Sequence, residues 1–258
     1  LKGNKKAFLF GPFIGELYWE MYRFAPYAIS LKKRFPKHHL IVFTRRERFD
    51  LYGQYANIFI PLKIGSRKFE AKKFTIKGFS ISDYIDLCKY IKKRYMNLYN
   101  IVDHYTPRID AFMYKVKWQF PRKYMDYDFK PRVKNRNIVN NIYKDLDNIV
   151  VTNDENIKLK NYNVVTREQF FKDVKKNYLE NSSQLGCLIH LLKGCEFIIS
   201  NFDDNLARLG VLCGKNVITV KENFTDDAIH LMNPLKSVVI KCDKFEEGVK
   251  EYEDKFRS

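Results

Sequence analysis

The chain contains no uninterrupted apolar run of about 18 residues, so nothing in it reads as a transmembrane helix. Its first residues carry no apolar core of a secretory signal, which sets the expectation of a cytoplasmic protein, host-cytoplasmic if the chain is virus-encoded. Cysteine is sparse and lacks a pairing pattern. Cys88, Cys187, Cys195, Cys213 and Cys242 are odd in number and include no CxxC pair. That argues against a disulfide frame and for reduced, mostly buried thiols. The five histidines are scattered, and no HExxH spacing occurs, so neither a zinc hydrolase nor a metal cofactor is expected. GxGxxG and Walker sequences are also missing, which counts against dinucleotide enzymes and P-loop kinases. No self-similarity at a solenoid period is found.

What is present is enough for a large core. Of 258 residues 45% are apolar and 16% aromatic, including 17 Tyr and 21 Phe, which is not the composition of a disordered chain. The length suits two domains of about 100–150 residues. The charge supports a division. Residues 1–136 hold 30 Lys+Arg against 11 Asp+Glu, whereas residues 137–258 hold 17 against 19. The whole basic excess therefore lies in the first half. A uniform lysine bias would have reached both halves, so the asymmetry points to a polyanionic partner, either nucleic acid or an anionic membrane surface.

The element pattern alternates strand and helix. In the first half strands are predicted at 7–10, 39–44, 58–62 and 100–104, with helices at 16–35 and 82–98. Pro36 closes the first helix because proline cannot continue it. The second helix is expected to turn Ile81, Ile85, Cys88, Ile91, Tyr95 and Leu98 inward. Residues 65–78 read as basic and irregular. Residues 105–136 read as an irregular connector in which aromatics alternate with cations. Such a segment can stack on bases while binding phosphate, or pack against its own domain. In the second half strands are predicted at 148–152, 162–166, 196–200, 216–220 and 237–241. Helices are expected at 182–193, through Leu206, Leu209 and Cys213, and at the C-terminus. Strands alternating with helices imply mostly parallel sheets.

Two strand–turn–helix junctions could carry chemistry. In AFLFGPFIGELYWEMYRFAPY, from Ala7 to Tyr27, an apolar strand runs into a glycine-containing turn and then a helix. Leu17, Met21, Phe24 and Ala28 recur on one helical face. Ligands of open α/β sheets sit at strand carboxyl ends, where such turns lie. Glu16, Glu20 and Arg23 share a face there, placing carboxylates at the mouth of a cleft. The structural alternative is a capped surface helix with two solvated glutamates. In the second junction, strand EFIIS delivers Ser200, Asn201, Phe202, Asp203 and Asp204 to a helix start. Free N–H groups there suit a phosphate; the two aspartates suit a helix cap or sugar hydroxyls.

Residues 195–222, CEFIISNFDDNLARLGVLCGKNVITVKE, resemble the donor-binding segment of GT-B glycosyltransferases of the heptosyltransferase type, and GPFIGELYWE is similar to their opening glycine-rich turn. Gly15-Glu16 matches the turn's Gly-acidic pair, with Glu in place of the more usual Asp. The resemblance covers about a fifth of the chain, one segment in each half. It implies an α/β fold of two Rossmann-like domains facing across a cleft. Residues 1–132 would form the basic acceptor domain and 133–258 the nucleotide-sugar domain. It also implies a metal-independent transfer from a nucleotide-sugar, with no other cofactor. A carboxylate near the acceptor hydroxyl acts as base, and positive groups or helix N-termini stabilise the leaving diphosphate. The candidate base is Glu16, with Glu20 in reserve. The candidate donor set is Gly15, Ser200, Asn201, Asp203, Asp204 and Lys221; the candidate acceptor set is Arg23, Arg45, Arg46, Arg48 and Trp118. The basic half implies an anionic acceptor. The favoured one is a hydroxymethylated pyrimidine in DNA, as for virus-encoded DNA-modifying transferases, with Trp118, Tyr124 or Tyr127 supporting an extruded base. A lipid-linked or surface glycan, with peripheral membrane contact, is the second acceptor. A non-catalytic nucleic-acid-binding protein is the alternative outside enzymes.

Overall fold

The computed structural model describes residues 5–13, 17–62, 81–96, 98–106, 124–177, 183–200, 205–220 and 234–257. The chain divides into two compact units, Leu1–Lys130 and Pro131–Ser258. Each has its own parallel sheet.

In the first unit, β1 (Lys6–Phe10), β2 (His39–Thr44), β3 (Ile58–Pro61) and β4 (Asn100–Tyr105) pair in the order β3-β2-β1-β4. All three pairings are parallel. The two central strands are buried along nearly their whole length rather than alternately, as expected where both faces of a parallel sheet are covered. Ala7 and Leu9 pack with Ile41, Phe43, Leu62 and Ile91 on one side. The β1–β4 register slips between Ala7 and Phe8, leaving Val102 as an extra residue in the edge strand.

The predicted first helix is a composite. It comprises α1 (Leu17–Trp19), a π-helical turn (Glu20–Phe24) and α2 (Ala25–Arg34). Its predicted apolar face is buried at Leu17, Met21, Phe24 and Ala28. Pro26 explains the widened turn. Proline has no N–H to give to the carbonyl four residues back, and its ring crowds that carbonyl. Ala25 donates instead to Glu20, five back. The Tyr22 carbonyl receives the Tyr127 hydroxyl at 3.0 Å.

In the second unit, β5 (Ile149–Thr152), β6 (Asn163–Thr166), β7 (Phe197–Ile199), β8 (Asn216–Val220) and β9 (Val239–Cys242) form an all-parallel sheet in the order β6-β5-β7-β8-β9. Its helices are α4 (Val133–Tyr143), α5 (Arg167–Lys176), α6 (Gln184–Gly194), α7 (Asn205–Leu212) and α8 (Phe245–Phe256). Val150, Phe197, Ile199, Ile218 and Ile240 of the sheet pack with Val249 and Tyr252 of α8. At Gly210 an added Cβ would lie 2.1 Å from Ile198 Cδ1, so glycine there lets α7 approach β7.

Four expectations are corrected. Residues 133–136, read as connector, open α4, where the sequence pattern predicts no helix; its face of Asn135, Ile138, Val139 and Tyr143 is buried despite four asparagines in eleven residues. Nor does the pattern predict a helix at α5, although Thr166 caps it by accepting from Gln169 N. In α3 (Ile81–Met96) the sheet-facing residues are Leu87, Cys88, Ile91 and Tyr95, while Ile85 and Leu98 are exposed. An edge strand offers only part of a face, so two of the expected six, Ile85 and Leu98, lie beyond its reach. Finally, Tyr127 and Phe129 are buried against their own unit, so the last part of the connector takes the packing role rather than the stacking one. Tyr127, with its hydroxyl engaged, does not present a ring to an extruded base.

Candidate functional site

The carboxyl end of β1 is set by Gly11. Its φ is +103°, and a Cβ there would fall 2.1 Å from the Phe43 carbonyl oxygen, so only glycine fits. Gly11 N donates to Tyr105 O at 2.8 Å and Phe13 N to Phe43 O at 3.0 Å, which stitches the turn to the ends of β4 and β2. The peptide bond from Gly11 to Pro12 is cis. In the order β3-β2-β1-β4 the direction of strand addition reverses between β1 and β4, and ligands of open α/β sheets bind outside the strand ends at such a reversal. His104 lies there. Its Nε2 is 2.6 Å from Gly11 O. A carbonyl only accepts, so Nε2 carries the proton. Burial lowers the imidazole below its ordinary value, against the raising pull of the Gly11 hydrogen bond and with Lys92 adding to the lowering.

Beside this turn stands a buried polar network. Glu20, on the π-turn, is fully buried. Its Oε1 accepts from Thr44 Oγ1 at 2.6 Å and from the Tyr52 hydroxyl at 2.8 Å; its Oε2 accepts from Arg48 Nη1 at 3.0 Å. The donors come from the end of β2 and from the 3-10 helix Arg46–Leu51 and the residue after it. Burial pushes the Glu20 carboxyl up, against the lowering pull of Arg48 and of both hydroxyls. Burial and the Glu20 charge raise the Tyr52 phenol well above its usual range, so it remains a donor. The network ties the first helix to the carboxyl end of β2, and its partners lie 24 to 32 residues away in sequence.

This revises the reading of Glu20. It is neither a carboxylate at a cleft mouth nor a solvated helix residue. Both oxygens are engaged in the interior. Of the predicted acceptor cations, Arg48 is buried as the partner of Glu20, and Arg23 and Arg45 are also buried. The Arg23 guanidinium lies 4.5 Å from the centre of the Tyr22 ring. Burial, with Arg48 nearby, lowers Arg45 below its usual range. Arg46 is exposed. Gly15, Glu16, Trp118, Asn201, Asp203, Asp204 and Lys221 lie outside the described residues.

In the second unit the order β6-β5-β7-β8-β9 reverses between β5 and β7. Ser200, the one predicted donor residue described there, is buried at the end of β7, and its N donates to Ile218 O at 3.0 Å. Thr152 ends β5 beside it; Thr152 Oγ1 accepts from Asp154 N at 3.1 Å, and Asp154 Oδ1 accepts from Asn156 N at 2.9 Å. Sequence reasoning missed Thr44, Tyr52, His104, Thr152 and Asp154. The available signal was position: Thr44 and Thr152 each close an apolar strand, at the carboxyl end where open α/β sheets bind their ligands.

Among the described residues no group of three or more His, Cys, Asp or Glu is arranged to hold a metal ion. No helix among them is long and apolar enough to cross a membrane. No family model matches the chain, and no curated protein matches it in sequence. Among solved structures, the chain is similar to the glycosyl transferase family 9 protein from Veillonella parvula, with 12% identity and a TM-score of 0.49, covering 99% of this chain and 90% of that one. It is also similar to E. coli heptosyltransferase WaaC with ADP, at 11% identity and a TM-score of 0.49, covering 97% and 99%. E. coli ADP-heptose lps heptosyltransferase II is a third, at 11% identity and 0.46, covering 92% and 90%; these likenesses transfer no residue role to this chain.

Proposed function

We propose that the protein is a glycosyltransferase that moves a sugar from a nucleotide-sugar to an anionic acceptor, without a metal, using two Rossmann-like units. The observation that carries this reading is the coincidence of motif and topology. GPFIGELYWE and residues 195–222, the two segments that resemble heptosyltransferase-type enzymes, each follow or contain a strand flanking the reversal point of its own parallel sheet, β1 in the first and β7 in the second. Glu16 serves as base in this proposal. Glu20 holds the helix that follows it rather than meeting substrate. Gly15, Ser200, Asn201, Asp203, Asp204 and Lys221 serve the donor, and exposed Arg46 serves the acceptor.

We take the acceptor to be a surface-presented anionic glycan in preference to a hydroxymethylated pyrimidine in DNA. An extruded base needs an available aromatic face; of the three aromatics offered for that role Tyr127 is buried with its hydroxyl bound, which counts against this acceptor, while Tyr124 is exposed and Trp118 lies outside the described residues.

A thermal-shift panel of UDP-, GDP-, ADP- and CMP-sugars tests the donor. A specific ligand at 100 times its Kd stabilises by about 2.7 kcal/mol. No shift with any nucleotide-sugar would leave the non-catalytic nucleic-acid-binding alternative in its place. Glu16→Gln should cut transfer by about 100-fold or more, the usual worth of a general base, with donor binding near normal. Wild-type turnover in that variant would remove Glu16 from the mechanism. Sugar incorporation into a duplex carrying hydroxymethylated pyrimidines would restore the DNA acceptor.

A further inference from the structure

Among the described residues, helix α3 is covered on one side. Leu87, Cys88, Ile91 and Tyr95 meet the sheet, and the other described side chains from Ile85 to Met96 are exposed. The outward side is not a uniformly charged one. Ile85, Lys89, Lys92 and Met96 follow one another at i, i+4, i+7 and i+11, so they form a single stripe. Ile85 is 37% and Met96 49% exposed, and Leu98, in the turn that ends the helix, is 51% exposed. Lys93, Arg94 and the exposed Tyr90 flank the stripe; the Arg94 guanidinium donates to the Tyr90 hydroxyl at 2.7 Å. From residue 87 to residue 98 the chain has four cations and no acidic residue. Among the described side chains the opposing charges nearby are Asp86, which pairs with Lys89 at 3.4 Å, and Asp103 on β4.

We infer that this face of α3 docks the protein onto an anionic lipid bilayer, with Ile85, Met96 and Leu98 entering the interface and Lys89, Lys92, Lys93 and Arg94 meeting the headgroups. Charge alone would suit a duplex equally. The exposed aliphatic side chains decide between them. A phosphate backbone offers nothing to Ile85, Met96 or Leu98, whereas a bilayer interface removes their surface from water and leaves neighbouring lysines in the headgroup layer. Tyr90 is amphipathic in the same sense, a ring with a polar tip. The +17 net charge, concentrated in the half that contains α3, draws that half toward an anionic surface from a distance. This inference deepens the functional reading only in placing the acceptor glycan on a membrane; the docking itself stands without any transfer reaction.

The test is co-sedimentation of the full chain with phosphatidylglycerol/phosphatidylcholine vesicles and with pure phosphatidylcholine vesicles, beside retention by a plain DNA duplex. Wild type should partition onto the anionic vesicles and not the neutral ones. One lysine near such a surface is worth about fivefold in partitioning, so the double variant Lys92→Gln/Lys93→Gln should bind about 25-fold more weakly. Ile85→Ser/Met96→Ser should weaken vesicle binding, most visibly at high salt where charge is screened, and leave duplex retention unchanged. Lys175→Gln/Lys176→Gln, an equal charge removal on exposed positions of α5, should change nothing. All four substituted α3 side chains are exposed and lie outside the core cluster, and thermal midpoints matching wild type confirm folded variants. Vesicle binding that is absent at low salt, or equal in wild type and both α3 variants, overturns the inference. A nucleotide-sugar shift that persists in that case leaves the transferase reading standing, and vesicle binding with no nucleotide-sugar shift does the reverse.

Discussion

Glu20 shows how one buried side chain acquires its meaning from residues distant in sequence. Thr44, Arg48 and Tyr52 surround it, and removing it would leave the Arg48 guanidinium buried without its carboxylate. Glu20→Ala should therefore destabilise by about 3–5 kcal/mol, the usual consequence of breaking a buried pair from one side. Urea unfolding measures it, and a loss under about 1 kcal/mol would mean the network is not holding the helix. Gly11→Ala faces both a positive φ and the Phe43 carbonyl, and should lower the thermal midpoint more than an alanine at the unobstructed Gly194. Asp128 provides the pH-dependent case. Its own burial would raise it, but hydrogen bonds from Tyr55, Lys33 and Lys130 hold it well below the usual carboxylate range. A depressed folded-state value gives stability that is present above the unfolded value of about 3.8 and is lost as pH falls through the folded one. Asp128→Asn should thus be less stable than wild type near about pH 7, and the gap should close as the pH is taken well below about 3. A gap that stays constant across that range would show that the charge of Asp128 contributes nothing.

At the scale of elements, the π-turn and the 124–130 segment form one structural unit. Asp126 N donates to Pro26 O at 3.1 Å, Gln54 N to Lys130 O at 2.8 Å, and the Tyr127 hydroxyl to Tyr22 O. The chain leaving β4 thereby returns to bind carbonyls at the place where Pro26 interrupts the helical ladder. Tyr127→Phe keeps the ring and deletes the hydroxyl, so it should cost about 1–3 kcal/mol by leaving a buried carbonyl short of a donor. Equilibrium unfolding reads this directly, and a neutral result would show that the hydroxyl has no part in holding the turn. Helix α4 makes a parallel point. Its asparagines disfavour helix locally, yet Asn135 Oδ1 accepts from Ser183 N at 2.9 Å, next to the Ser183 cap of α6, whose Oγ accepts from Gly186 N. Packing against α6 outweighs the local propensity, which is why a reading of local propensity passed the helix by.

At the scale of the molecule, the second unit carries a complete five-stranded sheet, helices and a continuous apolar cluster from Val150 to Tyr252. Residues 131–258 expressed alone should fold with a cooperative thermal transition and parallel α/β circular dichroism. A fragment lacking a transition would show that its core depends on the first unit. Strands β1, β2, β5, β7 and β8 were legible as runs such as HLIVFT and NVITV, because a strand buried on both faces must be apolar throughout. The helix faces at Leu17–Ala28 and Leu185–Leu192 were legible for the corresponding helical reason. Glycine at 11 and 214 was legible as a breaker, and both adopt positive φ. These features are local, and the backbone's hydrogen-bonding and steric rules act on each residue wherever it lies. Strand order, the burial of Glu20 with Arg48, the contact of His104 with Gly11 and the outward face of α3 were not legible. Each depends on which segments, tens of residues apart, the fold brings together, and burial changes the chemistry of a charged group only after that meeting has occurred.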